Sequence, residues 1–167
     1  MTGPELPAAG GTPYRIGLVC LGNICRSAMA DVVLSELVDR AGLASAVEVT
    51  SSGTGGWHVG EPMDPRAAAT LLAEDYDPSR HRAQQLAAAW ADRDLLLAMD
   101  AGNLTEARAR LGEAQAGRVR MFRDFDPMSS GDVPDPFFGG PDGFADVLRM
   151  VERTSIALVA KLALLLA

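Results

Sequence analysis

The sequence predicts an α/β fold of three layers (α/β/α), with a four-stranded parallel sheet between two layers of helices. Apolar, β-rich runs alternate along the chain with segments of helical pattern, and this alternation is typical of parallel sheets covered on both faces. The chain has 167 residues, 48% of them hydrophobic, which is enough for the core of one domain. In such a sheet, functional residues are expected at the carboxyl ends of the strands.

The first half of the chain predicts two strands and two helices. Residues Arg15–Cys20 form an apolar run that predicts a strand, and Ser27–Arg40 predict the helix that follows. Val47–Ser51 is a second β-rich run, and a further helix begins at Pro65. Asp64 stands where it can cap this helix, and proline is favoured in a first helical turn.

The second half predicts two further strands and three helices. The alanine-rich run Ala87–Trp90 is expected to belong to the core. The last helix ends in an apolar segment that Lys161 interrupts and that is too short to span a membrane. The predicted elements are a short helix over Gln84–Trp90, a strand over Asp94–Met99, a helix over Leu104–Leu111, a strand over Arg118–Phe122, and a long helix from Asp142 or Gly143 to the C terminus.

Composition and charge limit the domain organisation and the partners. Residues 1–13, rich in Gly, Pro and Ala, predict a disordered leader, and residues 14–167 predict a single domain. The net charge of −7 argues against nucleic acid or an anionic membrane as a partner. The chain does not begin with a basic and apolar signal peptide, which favours a cytoplasmic protein and leaves export without such a signal open.

The two cysteines are too few for a disulfide framework and fit a reducing compartment. The sequence has neither a CxxC motif nor a Cys/His cluster of metal-ligand spacing, so we expect no metal and no other cofactor. An acidic protein without a metal must bind an anion through local geometry, and one segment offers that geometry.

The segment from Cys20 to Ser27 reads Cys-Leu-Gly-Asn-Ile-Cys-Arg-Ser and predicts a phosphate-binding loop between the first strand and the first helix. A compact loop in this place turns its backbone N–H groups inward, and the helix N-terminus adds positive charge. A thiol in this field ionises readily, so Cys20 is expected to be a thiolate nucleophile, while Arg26 grips two phosphate oxygens. The predicted phosphate-binding residues are Leu21, Gly22, Asn23, Ile24, Cys25, Arg26 and Ser27.

The alternative interpretation is a small buried cysteine at a strand end and an ordinary surface arginine on a helix. It does not account for the Gly-Asn pair within the loop or for the serine after the arginine. A thiolate beside a phosphate cradle instead implies phosphoryl transfer through a phosphocysteine.

Phosphoryl transfer from an alcohol or a phenol also needs a proton for the departing oxygen. The run Val-Pro-Asp-Pro-Phe-Phe-Gly-Gly over 133–140 offers Asp135 as the acid. The flanking prolines restrict the backbone, and the two phenylalanines are able to line a slot.

Together these residues resemble the low-molecular-weight protein tyrosine phosphatases over most of the chain, from about Tyr14 onward. The loop matches the family pattern Cys-x-Gly-Asn-x-Cys-Arg-Ser, and residues 135–137 match its Asp-Pro-aromatic acid loop. Residues 51–54 match Ser-x-Gly-Thr, which Trp57 follows as an aromatic wall, and residues 98–103 match Ala-Met-Asp-x-x-Asn.

The resemblance implies a role for each catalytic residue. Cys20 attacks phosphorus, and Arg26 holds the equatorial oxygens with the loop amides. Asp135 protonates the phenol oxygen and then helps a water molecule to hydrolyse the phosphocysteine. Ser27 stabilises the thiolate. The implied partners are a phosphotyrosine-containing protein as substrate and inorganic phosphate or vanadate as inhibitors.

The resemblance also implies which residues support the loop and line the slot. Asn23 keeps the loop in shape with Ser51 and His81 as partners, and Asp100 orients Arg26. Arg66 is expected on a solvated helix face. A slot for a flat phenyl ring would be lined by Ile24, Trp57, His58 and Phe137.

Cys25 has two possible roles, a packed thiol or a resolving cysteine that captures oxidised Cys20 as a reversible disulfide. Three other functions compete with the phosphatase. An arsenate reductase on the same scaffold needs cysteines downstream, and none follows Cys25. Protein-arginine phosphatases carry threonine where Ile24 stands, and a phosphotyrosine-binding module would lack the nucleophile or the acid.

Overall fold

The structure is a computed structural model that describes residues 3–167. It contains one sheet of four parallel strands in the order β2-β1-β3-β4. The strands are β1 (Tyr14–Cys20), β2 (Val47–Gly53), β3 (Leu95–Ala98) and β4 (Val119–Met121). The α-helices are α1 (Arg26–Arg40), α2 (Pro65–Ala73), α3 (Ala101–Leu111) and α4 (Pro141–Leu165), and short 3-10 helices occupy Ala88–Asp92, Glu113–Arg118 and Phe122–Phe125.

The helices cover both faces of the sheet, so the predicted three-layer fold is confirmed. Side chains along a strand alternate between the faces. Ile16 and Leu18 pack into the cluster that contains the apolar faces of α1, α2 and α4. Val19 packs on the opposite face with Leu96 and with Ala107 of α3.

The strand order brings the loops after β1 and β3 together at one edge of the sheet. β1 lies at the centre, with β2 on one side and β3 on the other. The chain leaves β1 toward β2 and later returns to the opposite side of β1, which is where parallel sheets of this class form crevices for ligands. The segment Cys20–Ser27 follows β1 and Asp100 follows β3, so both lie at this crevice.

The predicted helix over Gln84–Trp90 is wrong, because only the end of it is helical. The 3-10 helix covers Ala88–Asp92, and of the run 87–90 only Trp90 is buried. The preceding residues are extended and pair with the end of β2: the Leu86 N–H donates to the Gly53 carbonyl at 2.7 Å. This tertiary pairing outweighs the helix propensity of the alanines.

Residues 3–13 form no helix or strand and contact the domain. The Gly10 N–H donates to Asp94 at 2.8 Å. The Tyr14 hydroxyl donates to the Pro7 carbonyl at 2.8 Å, and Leu6 packs against the core. Side chains of the domain thus pair with backbone groups of the leader, and the composition of the leader does not reveal these contacts. Residues 1 and 2 of the leader lie outside the described residues, and the division into leader and domain stays a prediction.

None of the helices within residues 3–167 is long and apolar enough to cross a membrane.

Asp126 joins the segment after β4 to α4. Its carboxylate accepts two hydrogen bonds from Arg153, at 2.7 and 2.8 Å, and one from Arg123 at 3.1 Å. The Met128 N–H donates to it at 2.9 Å. Burial acts to raise the pKa of Asp126, but these donors outweigh it and hold the pKa well below the ordinary value.

The Asp126→Asn variant should lose about 3 kcal/mol of unfolding free energy at neutral pH, because two arginines lose their charged partner. The folded-state pKa of Asp126 is depressed, so its contribution is fully present above the unfolded pKa of about 4 and is lost as the pH falls further. Urea unfolding at pH 7 and at pH 3 would measure this. The difference in unfolding free energy between Asp126→Asn and wild type should be smaller at pH 3 than at pH 7. An equal difference at both pH values would contradict the depressed pKa of Asp126.

Candidate active site

The loop over Cys20–Ser27 is held against the end of β2 by backbone hydrogen bonds. The Thr54 N–H donates to the Cys20 carbonyl at 2.9 Å, and the Gly55 N–H donates to the Leu21 carbonyl at 2.8 Å. The loop runs directly into α1, whose first turn contains no acidic side chain and whose N-terminus has no side-chain cap. The positive end of the helix therefore faces the loop, as an anion site requires.

Asn23 holds the loop from within. Its φ of 57° lies in the left-handed region, which asparagine tolerates better than most residues. Its side chain is fully buried, donates to Ser27 Oγ at 2.7 Å and accepts from the Gln84 N–H at 3.0 Å. Its carbonyl lies 2.7 Å from Nε2 of His81. Burial lowers the pKa of His81, although the bond to Asn23 opposes this, and the neutral imidazole is then the donor.

The sulfur of Cys20 lies among hydrogen-bond donors. Ser27 Oγ is 2.9 Å from Sγ, and the Asn23 N–H donates to Sγ at 3.3 Å. Ser27 Oγ already accepts from the Asn23 side chain, so its single proton is free to point either at Sγ or at the Ser52 carbonyl, which is 3.3 Å away. The Ser27 hydroxyl is therefore placed to donate a hydrogen bond to an anionic sulfur at this position.

Arg26 is buried, with 4% of its side chain exposed, and its guanidinium is held from three sides. It donates to Asp100 at 2.7 Å and to the Val133 carbonyl at 3.2 Å, and it lies 3.6 Å from Asp135. Burial acts to lower the pKa of Arg26, but the charge of Cys20 and the bond to Asp100 raise it above its ordinary value. The guanidinium therefore stays charged inside the site.

Asp100 uses its two oxygens for different tasks. One accepts from Arg26, and the other caps α3 by accepting from the Asn103 N–H at 2.7 Å. The helix thereby orients the carboxylate that orients the arginine.

Asp135 lies at the mouth of the site in a tight turn. Its Oδ1 accepts from the Phe137 N–H at 3.1 Å, and its Oδ2 is the oxygen near Arg26. With 43% of its side chain exposed, the carboxyl group is accessible from solvent and also faces the cleft. A carboxyl group at this position is able to exchange a proton with a group bound in the cleft.

A cleft of about 180 Å³ opens above the loop. Ile24 forms part of its apolar lining, while Trp57 is 70% exposed and forms a rim. His58 lines the cleft and also pairs with Glu61 at 2.6 Å. The lining residues are Cys20, Leu21, Gly22, Ile24, Cys25, Arg26, Trp57, His58, Asp135, Phe137 and Phe138.

The predicted contact of Ser51 with Asn23 is wrong. The Ser51 hydroxyl donates to Asp31 of α1 at 2.8 Å. The strand register pairs Ser51 with Leu18, two residues before Cys20, so its side chain meets α1 beyond the loop. The next residue, Ser52, contacts the loop instead, because its carbonyl lies 3.3 Å from Ser27 Oγ.

Two residues at the site had no predicted role. Arg66 donates to the Phe137 carbonyl at 2.9 Å, so it contacts the acid loop rather than only solvent. Gly53, at the end of β2, lies directly under the phosphate loop. A Cβ at this position would meet the Leu21 carbonyl oxygen at 2.6 Å and the Asn23 nitrogen at 3.0 Å. The Ser-x-Gly-Thr match contained this signal, since a glycine at a strand end marks a close backbone approach.

The Gly53→Ala variant should lower kcat about 10-fold or more and cost about 1–3 kcal/mol of unfolding free energy, because the new methyl group displaces backbone atoms of the loop. Steady-state kinetics and urea unfolding would measure both. Gly117→Ala is the matched control, since a Cβ there would meet no atom within 4 Å. If Gly53→Ala matched this control in activity, the loop would not depend on the close approach.

Comparison with known proteins gives a consistent result. The sequence model of the family described as low molecular weight phosphotyrosine protein phosphatase matches residues 15–164. A Streptomyces coelicolor relative named low molecular weight protein-tyrosine-phosphatase is 48% identical over 153 residues, which cover 88% of this chain and 92% of that protein.

Two solved structures from Bacillus subtilis are similar to this chain. YfkJ has a TM-score of 0.86 at 30% identity and covers 93% of this chain and 98% of its own. The YwlE arginine phosphatase, solved as a mutant with a phosphorylated active-site serine, has a TM-score of 0.81 at 27% identity, covering 89% and 95%.

Proposed function

Because the chain belongs to the low molecular weight phosphotyrosine protein phosphatase family, we propose that it hydrolyses phosphotyrosine in protein substrates through a phosphocysteine intermediate. One observation carries the proposal: a single cleft brings together a sulfur among donors, a buried arginine and a carboxyl group, from Cys20, Arg26 and Asp135. These are the nucleophile, the oxyanion clamp and the proton donor that the reaction needs.

In the first step the Cys20 thiolate attacks phosphorus, and the bond between phosphorus and the tyrosine oxygen breaks as the sulfur–phosphorus bond forms. Arg26 and the N–H groups of the loop hold the equatorial oxygens, where charge lies in the transition state. Protonated Asp135 gives its proton to the departing phenol oxygen.

In the second step the Asp135 carboxylate accepts a proton from a water molecule that attacks phosphorus. The sulfur–phosphorus bond breaks, and inorganic phosphate and the Cys20 thiolate are released. The distance of 2.9 Å from Ser27 Oγ to Sγ supports a role for Ser27 here, because a hydrogen bond to the forming thiolate makes it a better leaving group. Phosphate, the product, and vanadate, its analogue, are expected to inhibit.

The walls of the cleft support an aryl phosphate as the substrate. Ile24 is nearly buried and offers an apolar wall, and the ring of Phe137 in the acid loop lines the same cleft. A flat ring between apolar walls gains contact area, whereas a guanidinium would need polar partners there. The likeness to an arginine phosphatase makes phosphoarginine the substrate to test against.

Parallel assays of one peptide carrying phosphotyrosine, phosphoserine or phosphoarginine would test the proposal. We expect kcat/KM to be highest for phosphotyrosine by at least about 100-fold. The Ile24→Thr variant should show a smaller ratio of kcat/KM for phosphotyrosine to kcat/KM for phosphoarginine than wild type. Preferred turnover of phosphoarginine, or binding of phosphotyrosine without turnover, would overturn the proposal. Reduction of arsenate is assayed separately, and measurable arsenate reduction would favour the alternative that the chain is an arsenate reductase.

The cytoplasm is the compartment we propose. Both Cys20 and Cys25 are free thiols in the structure, and a thiolate nucleophile needs reducing conditions to persist. The acidic net charge of −7 supports protein substrates rather than nucleic acid or an anionic membrane surface.

Cys25 is proposed to protect Cys20 from irreversible oxidation. Burial, together with the charges of Asp64 and Cys20, raises the pKa of Cys25 to about 12, so it is a thiol during turnover. Peroxide oxidises Cys20 to a neutral sulfenic acid, which removes one of the charges that raise this pKa. The Cys25 sulfur then displaces water from the sulfenic acid and forms a disulfide, which an added thiol reduces.

The Cys25→Ala variant should recover less activity than wild type when peroxide treatment is followed by a thiol reductant. Activity before and after treatment measures this, and untreated Cys25→Ala provides the control for any direct effect on turnover. Equal recovery of variant and wild type would remove the protective role.

A further inference from the structure

Arg66 of α2 connects two segments of the site that are far apart in the sequence. Its Nη1 donates to the Phe137 carbonyl at 2.9 Å. Its Nε and Nη2 donate to the carboxylate of Asp64 at 3.1 and 2.9 Å, which makes a two-point contact. One planar group therefore holds the acid loop on one edge and the start of α2 on another.

The same guanidinium stacks against two aromatic rings. Its central carbon lies 5.2 Å from the ring centre of Phe137 and 4.8 Å from that of Phe144 in α4. Both distances fall within the range of cation–π contacts. Arg66 thus contacts the backbone and the ring of Phe137, and the ring lines the catalytic cleft.

Asp64 extends this connection to the phosphate loop. Its N–H donates to the Ile24 carbonyl at 3.0 Å, and its side chain caps α2 by accepting from the Arg66 N–H at 2.8 Å. Asp64 is only 7% exposed, so solvent has little access to its carboxylate and screens the bonds to Arg66 only weakly. A continuous chain of contacts runs from the phosphate loop through Asp64 and Arg66 to the acid loop.

Phe137 is also the residue that fixes the Asp135 carboxyl group. Its N–H donates to Asp135 Oδ1, while its carbonyl accepts from Arg66. Asp135 itself is only half-buried, and besides the Phe137 N–H at 3.1 Å its carboxylate has Arg26 as a neighbour, 3.6 Å away. The turn that directs the Asp135 carboxyl group into the cleft is therefore held by the hydrogen bond from Arg66 to the Phe137 carbonyl.

We propose that Arg66 is a positioning residue for proton donation: by holding Phe137 it keeps the Asp135 carboxyl group at the leaving oxygen. The inference rests on the role proposed above for Asp135 as the general acid. Its consequence is specific, since loss of Arg66 should slow protonation of the leaving group and leave phosphate binding by the loop intact.

A lysine at this position should not replace the arginine. An ammonium group is a point charge and does not bridge the Asp64 carboxylate and the Phe137 carbonyl in one plane, and it stacks less well on two rings. Arg66→Lys keeps the positive charge and most of the aliphatic stem but loses the planar guanidinium group. The variant therefore distinguishes an effect of the guanidinium geometry from an effect of the charge alone.

The test compares kcat for nitrophenyl phosphate, whose leaving group needs little protonation, with kcat for phenyl phosphate, whose leaving group needs a proton. The variants are Arg66→Gln, Arg66→Lys and Asp135→Asn, with Arg149→Gln as the control. Arg149 is an exposed arginine of α4 that pairs with Asp146, away from the cleft. Inhibition by inorganic phosphate and thermal melting are measured for each variant.

We expect both Arg66 variants to lose about 10-fold or more in kcat on phenyl phosphate and less than about 3-fold on nitrophenyl phosphate. The inhibition constant of phosphate should stay within about 2-fold of wild type, and Arg149→Gln should behave as wild type. Equal losses on the two substrates, or no loss, in the Arg66 variants would overturn the inference. If Arg66→Gln does not fold, Arg66→Lys alone decides.

Asp135→Asn separates failure of this inference from failure of the proposed function. If Asp135→Asn discriminates between the two substrates and the Arg66 variants do not, Asp135 is the acid and Arg66 does not position it. If Asp135→Asn does not discriminate either, the acid role that the inference rests on is itself wrong.

Discussion

Replacing Cys20 by serine is expected to lower kcat by at least about 10⁴-fold, because a hydroxyl group is not ionised at neutral pH and Cys25, the other thiol of the loop, stays protonated with a pKa of about 12. The donors around the sulfur, from Ser27 and the Asn23 N–H, are then left without an anion. Binding of inorganic phosphate should persist or tighten, since Arg26 and the loop amides remain and the repulsion between thiolate and phosphate is gone.

Steady-state kinetics on phosphotyrosine and a calorimetric titration with phosphate would measure both quantities for Cys20→Ser. If the variant lost phosphate binding as well as activity, the serine would have distorted the loop. Faster exchange of the Asn23 N–H with solvent deuterium in the variant than in wild type would show such a distortion. Retained turnover would exclude the phosphocysteine pathway.

Replacing Asp135 should slow cleavage according to the leaving group. For phosphotyrosine we expect a loss of about 100-fold in kcat, because the phenolate must leave without a proton, and for an activated nitrophenol a loss of only a few-fold. Asp135→Asn is the sharper variant, since its side-chain oxygen is still able to accept from the Phe137 N–H and keep the turn. Asp135→Ala removes both the proton donor and the acceptor for the Phe137 N–H.

The pH profile of Asp135→Asn provides a second measurement. If Asp135 gives a proton to the leaving oxygen, the pH dependence of kcat on phosphotyrosine should differ between wild type and Asp135→Asn. Equal losses on both substrates, with an unchanged profile, would argue against Asp135 as the donor and would point to a purely structural role of the acid loop.

The sequence predicts the central part of this molecule well because the information there is local. The apolar run before Cys20 predicts a strand, the helical pattern after Arg26 predicts a helix, and a compact loop between them has few ways to connect the two. The family resemblance implies that Asp100 contacts Arg26, and it does so at 2.7 Å, where parallel strands bring their carboxyl ends to one edge.

Contacts that depend on how distant segments dock were not predictable in the same way. Arg66 looks like a solvated residue in its own helix, and only the arrival of residues 133–140 gives it partners. Gln84 lies in a run of helix-forming residues, yet its N–H is used by Asn23. The predicted partner of Ser51 is wrong because the register between β1 and β2 decides which side chain faces the loop.

The way the phosphate loop is tied down has a consequence for the thermodynamics of recognition. Cys20, Leu21 and Ile24 give their carbonyls to neighbouring segments, and Asn23 is buried, so the loop already has its final shape before any anion arrives. Association then orders little of the protein, and little conformational entropy is lost. The N–H of Asn23 should therefore exchange with solvent deuterium as slowly as strand amides of β1, with or without phosphate, because opening the loop requires the adjoining sheet edge to open as well.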